Sequence, residues 1–361
     1  MSRPKFHPLR VTDVRRETAE CVSVAFEVPA ELKNDFRFSH GQYLTLRTTI
    51  NGEDVRRSYS ICSGTDDGEL RVAVKEVDGG LFSTWVNREL KAGDEIQVMT
   101  PMGNFTVPIE PAKPKKYLLI AAGSGITPVM SIARTVLRNE PGSEVVLLYG
   151  NRLFSTIIFR DALEDLKDRY LGRFRVFHIL SREPNEIPLF HGRLNGERLA
   201  QFDRSFVPVK GIDEFFLCGP QEMIESCRDY LLSQGIDEAK VHFELFLAPN
   251  QATAARKEQA VSSQAPAGTT SVKVIFDGQE TNFDMERNGL SVLEAAQRHG
   301  LDIPFSCKGG MCCTCRAHLD EGTVHMEVNY ALEPGEIDAG FVLTCQSKPT
   351  SERVVVNFDQ Q

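Results

Sequence analysis

Four cysteines lie within the eleven residues "FSCKGGMCCTC" (305–315), and a fifth follows in "LTCQ". Cys307, Cys312 and Cys315 have the spacing C-x4-C-x2-C, which is typical of the thiolate ligands of a [2Fe–2S] cluster. Each iron takes two thiolates, so a loop with three cysteines needs one more sulfur from elsewhere in the chain. Cys345 is placed to supply it. The spacing therefore predicts an iron–sulfur centre with these four cysteines as its metal ligands.

Zinc and inert core cysteines are the alternatives to this interpretation. Structural zinc sites usually combine two short hooks, such as a pair of C-x2-C motifs, and a single distant cysteine fits that pattern poorly. Cys313 is the extra sulfur, because a register that used both Cys313 and Cys315 would leave one residue between two ligands. We therefore expect Cys313 not to bind iron. Gly309 and Gly310 are expected to let the loop bend tightly around the metal.

A second group of chemistry-bearing residues lies where predicted strands end. "LLIAAGSGITPVMS" places Gly123 and Gly125 between a buried strand and a helix, where backbone N–H groups can approach a pyrophosphate. This is not the full G-x-G-x-x-G fingerprint, and a lone G-x-G is a weak signal. The next two strands end in "YGNR" and "LSRE", which carry Arg152 and Arg182 and no acid after the second strand to hold a ribose diol. Two cations suit a dianionic phosphate.

The segments that must position these residues differ in hydrophobic pattern and composition. Residues 1–110 alternate apolar and polar positions between turn signals, which predicts antiparallel strands in a barrel. Residues 111–247 alternate buried strands with helical spacing, which predicts an α/β domain around a parallel sheet. Residues 248–270 are rich in Ala, Gln, Ser and Thr and predict a flexible linker. Residues 271–361 begin with two strands around an Asp-Gly turn, followed by a short helix and the cysteine loop.

The composition of the 361-residue chain narrows the class of protein. The net charge of −9 argues against nucleic acid as a partner. Seven Lys and Arg face fourteen Asp and Glu from residue 271 onward, so most of the excess acidity lies beside the cysteines, either for solubility or to steer a basic partner. No apolar run approaches the roughly 20 residues of a membrane span, and the first residues lack a secretory signal. We therefore predict a cytoplasmic protein without membrane contact, in which clustered cysteines favour metal over disulfides.

The stretches "RRSYSICS" (56–63) and "GGLFSTWV" (79–86) resemble motifs of the ferredoxin–NADP reductase superfamily. In that superfamily an R-x-Y-S/T motif binds flavin, and a G-x-x-S/T element holds the flavin pyrophosphate at a helix start. The resemblance implies FAD in preference to FMN, with Tyr59 against the isoalloxazine and Ser60 near its N5 atom. The implied flavin-binding residues are Arg57, Ser58, Tyr59, Ser60, Gly80, Ser83 and Thr84.

The nucleotide motifs resemble the same superfamily. "GSGITP" matches the form that its members carry, and "FFLCGP" places Cys218 beside the nicotinamide. The resemblance implies Ser60 and Cys218 as the catalytic positions, with the thiol shaping the site and not acting as a nucleophile. The Ser-Arg pair in "LSRE" resembles one that holds a 2′-phosphate, which implies NADPH in preference to NADH. The implied nucleotide-binding residues are Gly123, Gly125, Thr127, Arg152, Ser181, Arg182, Cys218, Gly219 and Pro220.

The stretch around the cysteines resembles plant-type ferredoxins, which have a β-grasp fold. The expected architecture is multidomain: an antiparallel β-barrel flavin domain, an α/β parallel-sheet nucleotide domain and a β-grasp ferredoxin domain. This order is similar to that of oxygenase reductases. It implies electron transfer from NADPH through FAD and a [2Fe–2S] cluster to di-iron oxygenase subunits, with no substrate-oxidising site in this chain. A reductase for a steroid or aromatic-ring hydroxylase is the alternative. A zinc-stabilised or redox-sensing binding module is the alternative of a different class.

Overall fold

The computed structural model describes residues 5–246 and 268–360, which fall into two compact units. The first unit holds most of the barrel and the nucleotide domain, and the second holds the C-terminal domain. The predicted linker, 248–270, lies outside the described residues except for its last three, of which Thr269 and Thr270 already belong to a strand. Within the two described ranges, no helix is both long enough and apolar enough to cross a bilayer.

The N-terminal domain is a closed antiparallel sheet. Its strands are β1 (Phe6–Thr18), β2 (Cys21–Glu27), β3 (Tyr43–Ile50), β4 (Glu53–Ser60), β5 (Leu70–Lys75) and β6 (Glu95–Met99), in the order β4-β3-β6-β1-β2-β5. Ile61, directly after β4, bridges Val72 of β5 and so closes the sheet into the predicted barrel. One helix, α1 (Leu81–Arg88), follows β5 in the chain and buries Phe82 and Val86.

The nucleotide domain is a five-stranded parallel sheet with four helices. Its strands are β7 (Lys116–Ala122), β8 (Glu144–Asn151), β9 (Phe174–Leu180), β10 (Glu214–Gly219) and β11 (Val241–Leu245). Its helices are α2 (Ile126–Asn139), α3 (Arg160–Arg169), α4 (Gly196–Ser205) and α5 (Gln221–Ser233). The order β11-β10-β7-β8-β9 reverses at β7, so the loops after β7 and β10 open onto one crevice, where such sheets bind ligands.

The predicted strands of this domain are confirmed, and one helix was missed. Leu118, Leu119 and Ile120 of β7 are fully buried, as a continuous apolar run in a parallel sheet requires. Sequence reasoning did not predict α4. Its start carries a helix signal, because the Asn195 side chain accepts a hydrogen bond from the Arg198 backbone N–H.

The barrel and the nucleotide domain share a packed interface within the first unit. The Ser131 hydroxyl on α2 donates to the Ser63 carbonyl at 2.7 Å. Phe105 packs edge-to-face against Phe216 of β10, with 5.2 Å between the ring centroids. Both rings are buried, so this contact joins the two hydrophobic cores. The barrel and the nucleotide domain therefore share one hydrophobic core within this unit.

The C-terminal domain is a mixed sheet of the β-grasp type. Its strands are β12 (Thr269–Phe276), β13 (Gln279–Glu286), β14 (Arg316–Glu321), β15 (Val324–Met326), β16 (Phe341–Leu343), β17 (Ser347–Pro349) and β18 (Arg353–Asn357). Its helices are α6 (Val292–Arg298) and α7 (Pro334–Asp338). The main sheet has the order β13-β12-β18-β14-β16, with β12 and β18 parallel. The predicted Asp-Gly hairpin turn is confirmed, since Asp277 and Gly278 both have positive φ, 53° and 73°.

Helix α6 positions the start of the cysteine loop. Ser291 caps it, accepting from the Glu294 N–H while the Glu294 carboxylate accepts from the Ser291 N–H, and so forms a capping box. The helix buries Val292 and Leu293 completely in the core of the domain. Gly300 follows with φ of +82° and ends the helix, as predicted.

Candidate functional site

The two predicted nucleotide motifs meet at the point where the order of the parallel sheet reverses. The Gly123–Gly125 turn follows β7, and Cys218 and Gly219 end β10, the strand paired directly with β7. Helix α2 begins at Ile126, and none of its first turn is capped by a side chain. The Ile126 N–H already donates to the Gly123 and Ser124 carbonyls, and Pro128 has no N–H, so the backbone N–H groups of the glycine turn itself are the ones that can face an anionic ligand in the crevice.

Gly125 is required by the packing of the turn. A Cβ atom at this position would lie 2.1 Å from the Cys218 carbonyl oxygen and 2.5 Å from its carbonyl carbon. Both are backbone atoms of β10, so no side-chain rotation can relieve the overlap. Gly123 has φ of +56°, in the left-handed region that favours glycine. The motif therefore brings the helix start against β10 as well as opening a path for a ligand.

Two residues predicted at the cofactor sites, Thr127 and Ser83, have hydroxyl groups that are engaged inside the protein. Thr127 is buried, and its hydroxyl donates to the Ser124 carbonyl at 3.0 Å. The Ser83 hydroxyl donates to the Gly80 carbonyl at 3.2 Å and accepts from the Val77 N–H. These side chains fix the shape of their turns, so any contact of theirs with a cofactor phosphate is left to the backbone N–H groups.

The two predicted arginines are neighbours at the carboxyl edge of the sheet. The Ser181 N–H donates to the Asn151 carbonyl, and the Arg182 N–H donates to the Arg152 carbonyl, both at 2.9 Å. These bonds extend the pairing of β8 and β9 by two residues beyond the strand ends. Both arginine side chains are exposed, and neither forms an ion pair with any residue in the described ranges. The arrangement presents two cations to solvent at one edge of the crevice.

The flavin motif occupies the end of β4 and the start of α1. Arg57, Ser58, Tyr59 and Ser60 are the last four residues of β4, and Gly80 is the N-cap of α1, as the predicted helix start requires. The Tyr59 ring lies 5.8 Å from the Phe82 ring on α1, so the two elements meet at the predicted flavin site. Thr84, in the first turn of α1, donates its backbone N–H to Gly80.

Glu244 joins the flavin motif to the nicotinamide motif, and sequence reasoning missed it. The Ser60 hydroxyl donates to a Glu244 carboxylate oxygen at 3.0 Å. Glu244 on β11 is also the direct strand partner of Cys218 on β10. The two predicted catalytic positions are thus brought together around one carboxylate. No neighbouring residue in "HFELF" indicates that Glu244 would contact Ser60 beside Cys218.

Cys218 is a neutral thiol in this site. It is fully buried, and burial together with the nearby Glu244 raises its pKa well above the ordinary range. A reactive cysteine needs a depressed pKa and access to solvent, so Cys218 is not suited to act as a nucleophile. The shaping role predicted for its side chain requires neither property and stays a prediction.

The four predicted iron ligands form two sulfur pairs. The Cys312 thiol donates to the Cys307 sulfur at 3.2 Å, and Cys315 donates to Cys345. These hydrogen bonds lower the pKa of Cys307 and of Cys345. Two pairs of thiols suit a cluster of two irons with two thiolates on each. The donor set therefore fits a [2Fe–2S] cluster.

The loop around these sulfurs also supplies hydrogen-bond donors. The Gly309 N–H donates to the Cys307 sulfur and the Gln346 side chain donates to the Cys345 sulfur, both at 3.4 Å. Lys308 and Gly310 take positive φ angles of 51° and 74°, which make the tight bend that sequence reasoning assigned to the glycines. Donors of this kind stabilise thiolate charge and tune an iron–sulfur centre.

Cys313 belongs to the domain core and not to the sulfur pairs. It is buried, and its thiol donates to the Ala331 carbonyl at 3.2 Å. It packs in the apolar core of the domain, to which Cys315 and Cys345 also belong, so its hydrogen bond to Ala331 is what distinguishes it from the paired sulfurs. This placement favours the predicted register, which remains open to a direct test.

Three family models match successive parts of the chain. An oxidoreductase FAD-binding domain covers 8–107, and an oxidoreductase NAD-binding domain covers 119–229. A 2Fe-2S iron-sulfur cluster binding domain covers 274–350. The three matches follow the order of the domains described above.

Two full-length relatives decide the family. The 1,2-phenylacetyl-CoA epoxidase of Escherichia coli has a component that is 40% identical over 98% of this chain and 98% of its own length. The chain belongs to the FAD- and 2Fe-2S-containing reductases of oxygenase systems. A second relative of this reductase is the ferredoxin reductase component of the Mycobacterium tuberculosis 3-ketosteroid-9-alpha-monooxygenase. It is 37% identical over 98% of this chain and 96% of its own length.

A solved structure shows the same fold. Phthalate dioxygenase reductase aligns with a TM-score of 0.59 over 98% of each chain, at 24% identity. The expected multidomain fold class is thereby confirmed, and the two full-length relatives confirm the class of the protein. The reductase uses NAD(P)H, FAD and a [2Fe–2S] cluster, and members of its family deliver electrons to oxygenase components.

Proposed function

We propose that this reductase takes electrons from NADPH and delivers them to the di-iron oxygenase subunits of a phenylacetyl-CoA epoxidase. The hydrogen bond between Ser60 and Glu244, beside Cys218, carries the electron-transfer part of the proposal. It joins the flavin motif to the nicotinamide motif, as hydride transfer between the two cofactors requires. The full-length similarity to the epoxidase component of Escherichia coli supports the choice of oxygenase. A cytoplasmic location, proposed from the sequence, accords with this role.

The chain's own residues hold and orient the reactants. The uncapped start of α1 and the glycine turn before α2 offer N–H groups to the pyrophosphates of FAD and of the dinucleotide. Ser60 is fixed by Glu244, so its hydroxyl has one orientation at the flavin edge. Cys218 fills the buried space beside the nicotinamide without adding charge there. When bound, FAD would accept one hydride, which carries two electrons, and the [2Fe–2S] cluster would carry single electrons.

The choice of NADPH is supported by the arginine pair. Arg152 and Arg182 lie side by side through a backbone hydrogen bond and are exposed at the carboxyl edge of the sheet. A 2′-phosphate is a dianion that two guanidinium groups can bind with charge-assisted hydrogen bonds. NADH lacks this phosphate, so the pair would contribute little to its binding.

Replacing Arg182 with alanine is expected to raise KM for NADPH by about 10- to 100-fold, the loss of one hydrogen-bonded ion pair. KM for NADH is expected to change less than about twofold, because its ribose is uncharged at this position. Steady-state reduction of cytochrome c with each nucleotide measures both constants. The control is Arg169→Ala, an exposed arginine at the end of α3 in the same domain. Equal changes for the two nucleotides would remove Arg182 from phosphate recognition.

Reconstitution identifies the oxygenase. The reductase is mixed with the oxygenase subunits of the phenylacetyl-CoA epoxidase, NADPH, oxygen and phenylacetyl-CoA, and the epoxide is measured. The expected result is turnover that depends on the reductase and stops when NADPH is omitted. Cytochrome c reduction by the same preparation reports electron flow without the oxygenase. Active cytochrome c reduction with no epoxide formed would contradict the proposed partner and leave the reductase class intact.

A steroid hydroxylase is the second candidate for the oxygenase. The observation in its favour is the 37% identity to the M. tuberculosis 3-ketosteroid-9-alpha-monooxygenase reductase over nearly the full chain. The same reconstitution with that oxygenase and a 3-ketosteroid compares the two candidates directly. Faster product formation with the steroid system would replace the epoxidase as the proposed partner.

A further inference from the structure

The side-chain amide of Asn151 is a buried donor without a partner. Asn151 is the last residue of β8 and is 8% exposed. Its Nδ2 atom makes no hydrogen bond to any residue in the part of the chain that the structure describes. Buried side-chain donors are almost always paired with protein, water or a ligand, because an unmade hydrogen bond destabilises the fold. The Asn151 Nδ2 atom is therefore able to donate a hydrogen bond to a ligand that binds here.

The surroundings of Asn151 identify the ligand side of the sheet. Residues two apart on a strand point to the same face, so Asn151 and Tyr149 share one face of β8. The Tyr149 hydroxyl donates to the Gly123 carbonyl at 3.0 Å, which places that face against the glycine turn. Burial raises the pKa of Tyr149 and the Asn151 side chain partly lowers it, so the Asn151 amide lies near the Tyr149 hydroxyl, although without the geometry of a hydrogen bond.

The backbone of Asn151 leads to the arginine pair. Its carbonyl accepts from the Ser181 N–H at 2.9 Å, so this oxygen is engaged in the sheet and the side chain is what remains for a ligand. The next residue is Arg152, whose carbonyl accepts from the Arg182 N–H. Asn151 thus lies between the glycine turn, which suits a pyrophosphate, and the two cations, which suit a 2′-phosphate.

We propose that Asn151 Nδ2 donates a hydrogen bond to an oxygen of the pyrophosphate or of the ribose attached to it in the bound nicotinamide dinucleotide. The inference rests on the nucleotide site of the proposed function and adds a binding residue to it. Apart from the 2′-phosphate itself, which the arginine pair is proposed to bind, this segment is common to NADPH and NADH. Asn151 therefore sets the affinity for both nucleotides, whereas Arg182 distinguishes between them.

The test measures dissociation constants of NADP⁺ and NAD⁺ with the oxidised, flavin-loaded protein by difference spectroscopy. Asn151→Ala is expected to weaken both nucleotides about tenfold, the loss of one hydrogen bond to a charged or strongly polar oxygen. Asn151→Asp has the same shape but replaces the donor with a carboxylate, so a larger loss is expected for both. The control is Asn34→Asp, an exposed asparagine of the barrel domain with the same change of charge.

Both Asn151 variants are compared only if they fold. Flavin content and thermal unfolding report whether each variant is folded, and the isosteric Asn151→Asp carries the test if the alanine variant is not. Unchanged affinities in a folded variant would overturn the inference. A loss confined to NADP⁺ would also overturn it, because the contact would then depend on the 2′-phosphate. Wild-type protein that binds neither nucleotide would instead refute the proposed function, and the inference with it.

Discussion

Replacing Cys312 with serine is expected to leave a protein that contains FAD but no [2Fe–2S] cluster. Cys312 and Cys307 form one of the two sulfur pairs, 3.2 Å apart, and a serine hydroxyl is a poor ligand for iron. With one sulfur of the pair missing, one iron would have a single thiolate. Iron and acid-labile sulfide per chain, together with the electron paramagnetic resonance signal after reduction, measure the loss. Electron delivery to an oxygenase is expected to stop.

Cys313→Ser is the matched control, since it makes the same change at the adjacent residue. Its sulfur donates to the Ala331 carbonyl in the core, and a serine hydroxyl can replace that hydrogen bond. This variant is expected to keep two irons per chain, with a small loss of stability of about 1 kcal/mol from burying a more polar atom. A cluster that survives Cys312→Ser and disappears in Cys313→Ser would refute the ligand register. One bound zinc in place of two irons would refute the iron–sulfur assignment.

Gly125→Ala is expected to disrupt the nucleotide site and destabilise the first unit by several kcal/mol, in the range of the largest single-residue effects. The new Cβ would lie 2.1 Å from the Cys218 carbonyl oxygen, and relief requires that β10 and the start of α2 move apart. That movement displaces Cys218 from Glu244 and the nicotinamide from the flavin. A shift of about 1 Å at the reacting atoms reduces a rate by about 100-fold. Stopped-flow reduction of FAD by NADPH and thermal unfolding measure the two effects.

Gly211→Ala provides the comparison in the same domain. A Cβ at Gly211 would meet no atom within 4 Å, and its φ is not in the left-handed region. This substitution is expected to leave the rate of flavin reduction unchanged and to alter stability by less than about 1 kcal/mol. If Gly125→Ala reduced its flavin as fast as Gly211→Ala does, the close approach of the turn to β10 would not be essential.

Many features of the fold and the site could be predicted from short stretches of sequence. The C-x4-C-x2-C spacing, the Asp277-Gly278 turn and the Ser291 cap each depend on neighbouring residues, so their signals are complete within a short stretch. The same holds for the alternation of strands and helices that predicted the parallel sheet. Helix α4 also had a local signal, in the Asn195 cap, which sequence reasoning passed over.

Other roles depend on which side chains the fold brings together. Ser83 and Thr127 were predicted at helix starts beside the cofactors, and the fold uses their hydroxyls within their own turns. The stretch "HFELF" contains two aromatic rings, Phe243 and Phe246, that could cover the flavin face. Phe243 is 39% exposed, whereas Phe246 packs against the core that joins the barrel and the nucleotide domain. The sequence pattern alone does not distinguish the two rings.

The sequence by itself determined the fold class and the cofactor classes, and it supplied the proposal for the four sulfur ligands, because each depends on residue type and short-range spacing. The tertiary structure decided how those residues are combined. It placed Glu244 between Ser60 and Cys218, residues from three separate strands, and it left the Asn151 amide buried without a partner among the described residues. Both features arise from contacts between elements far apart in the chain. Such contacts are fixed by the packing of the sheet against the barrel, and no local pattern encodes them.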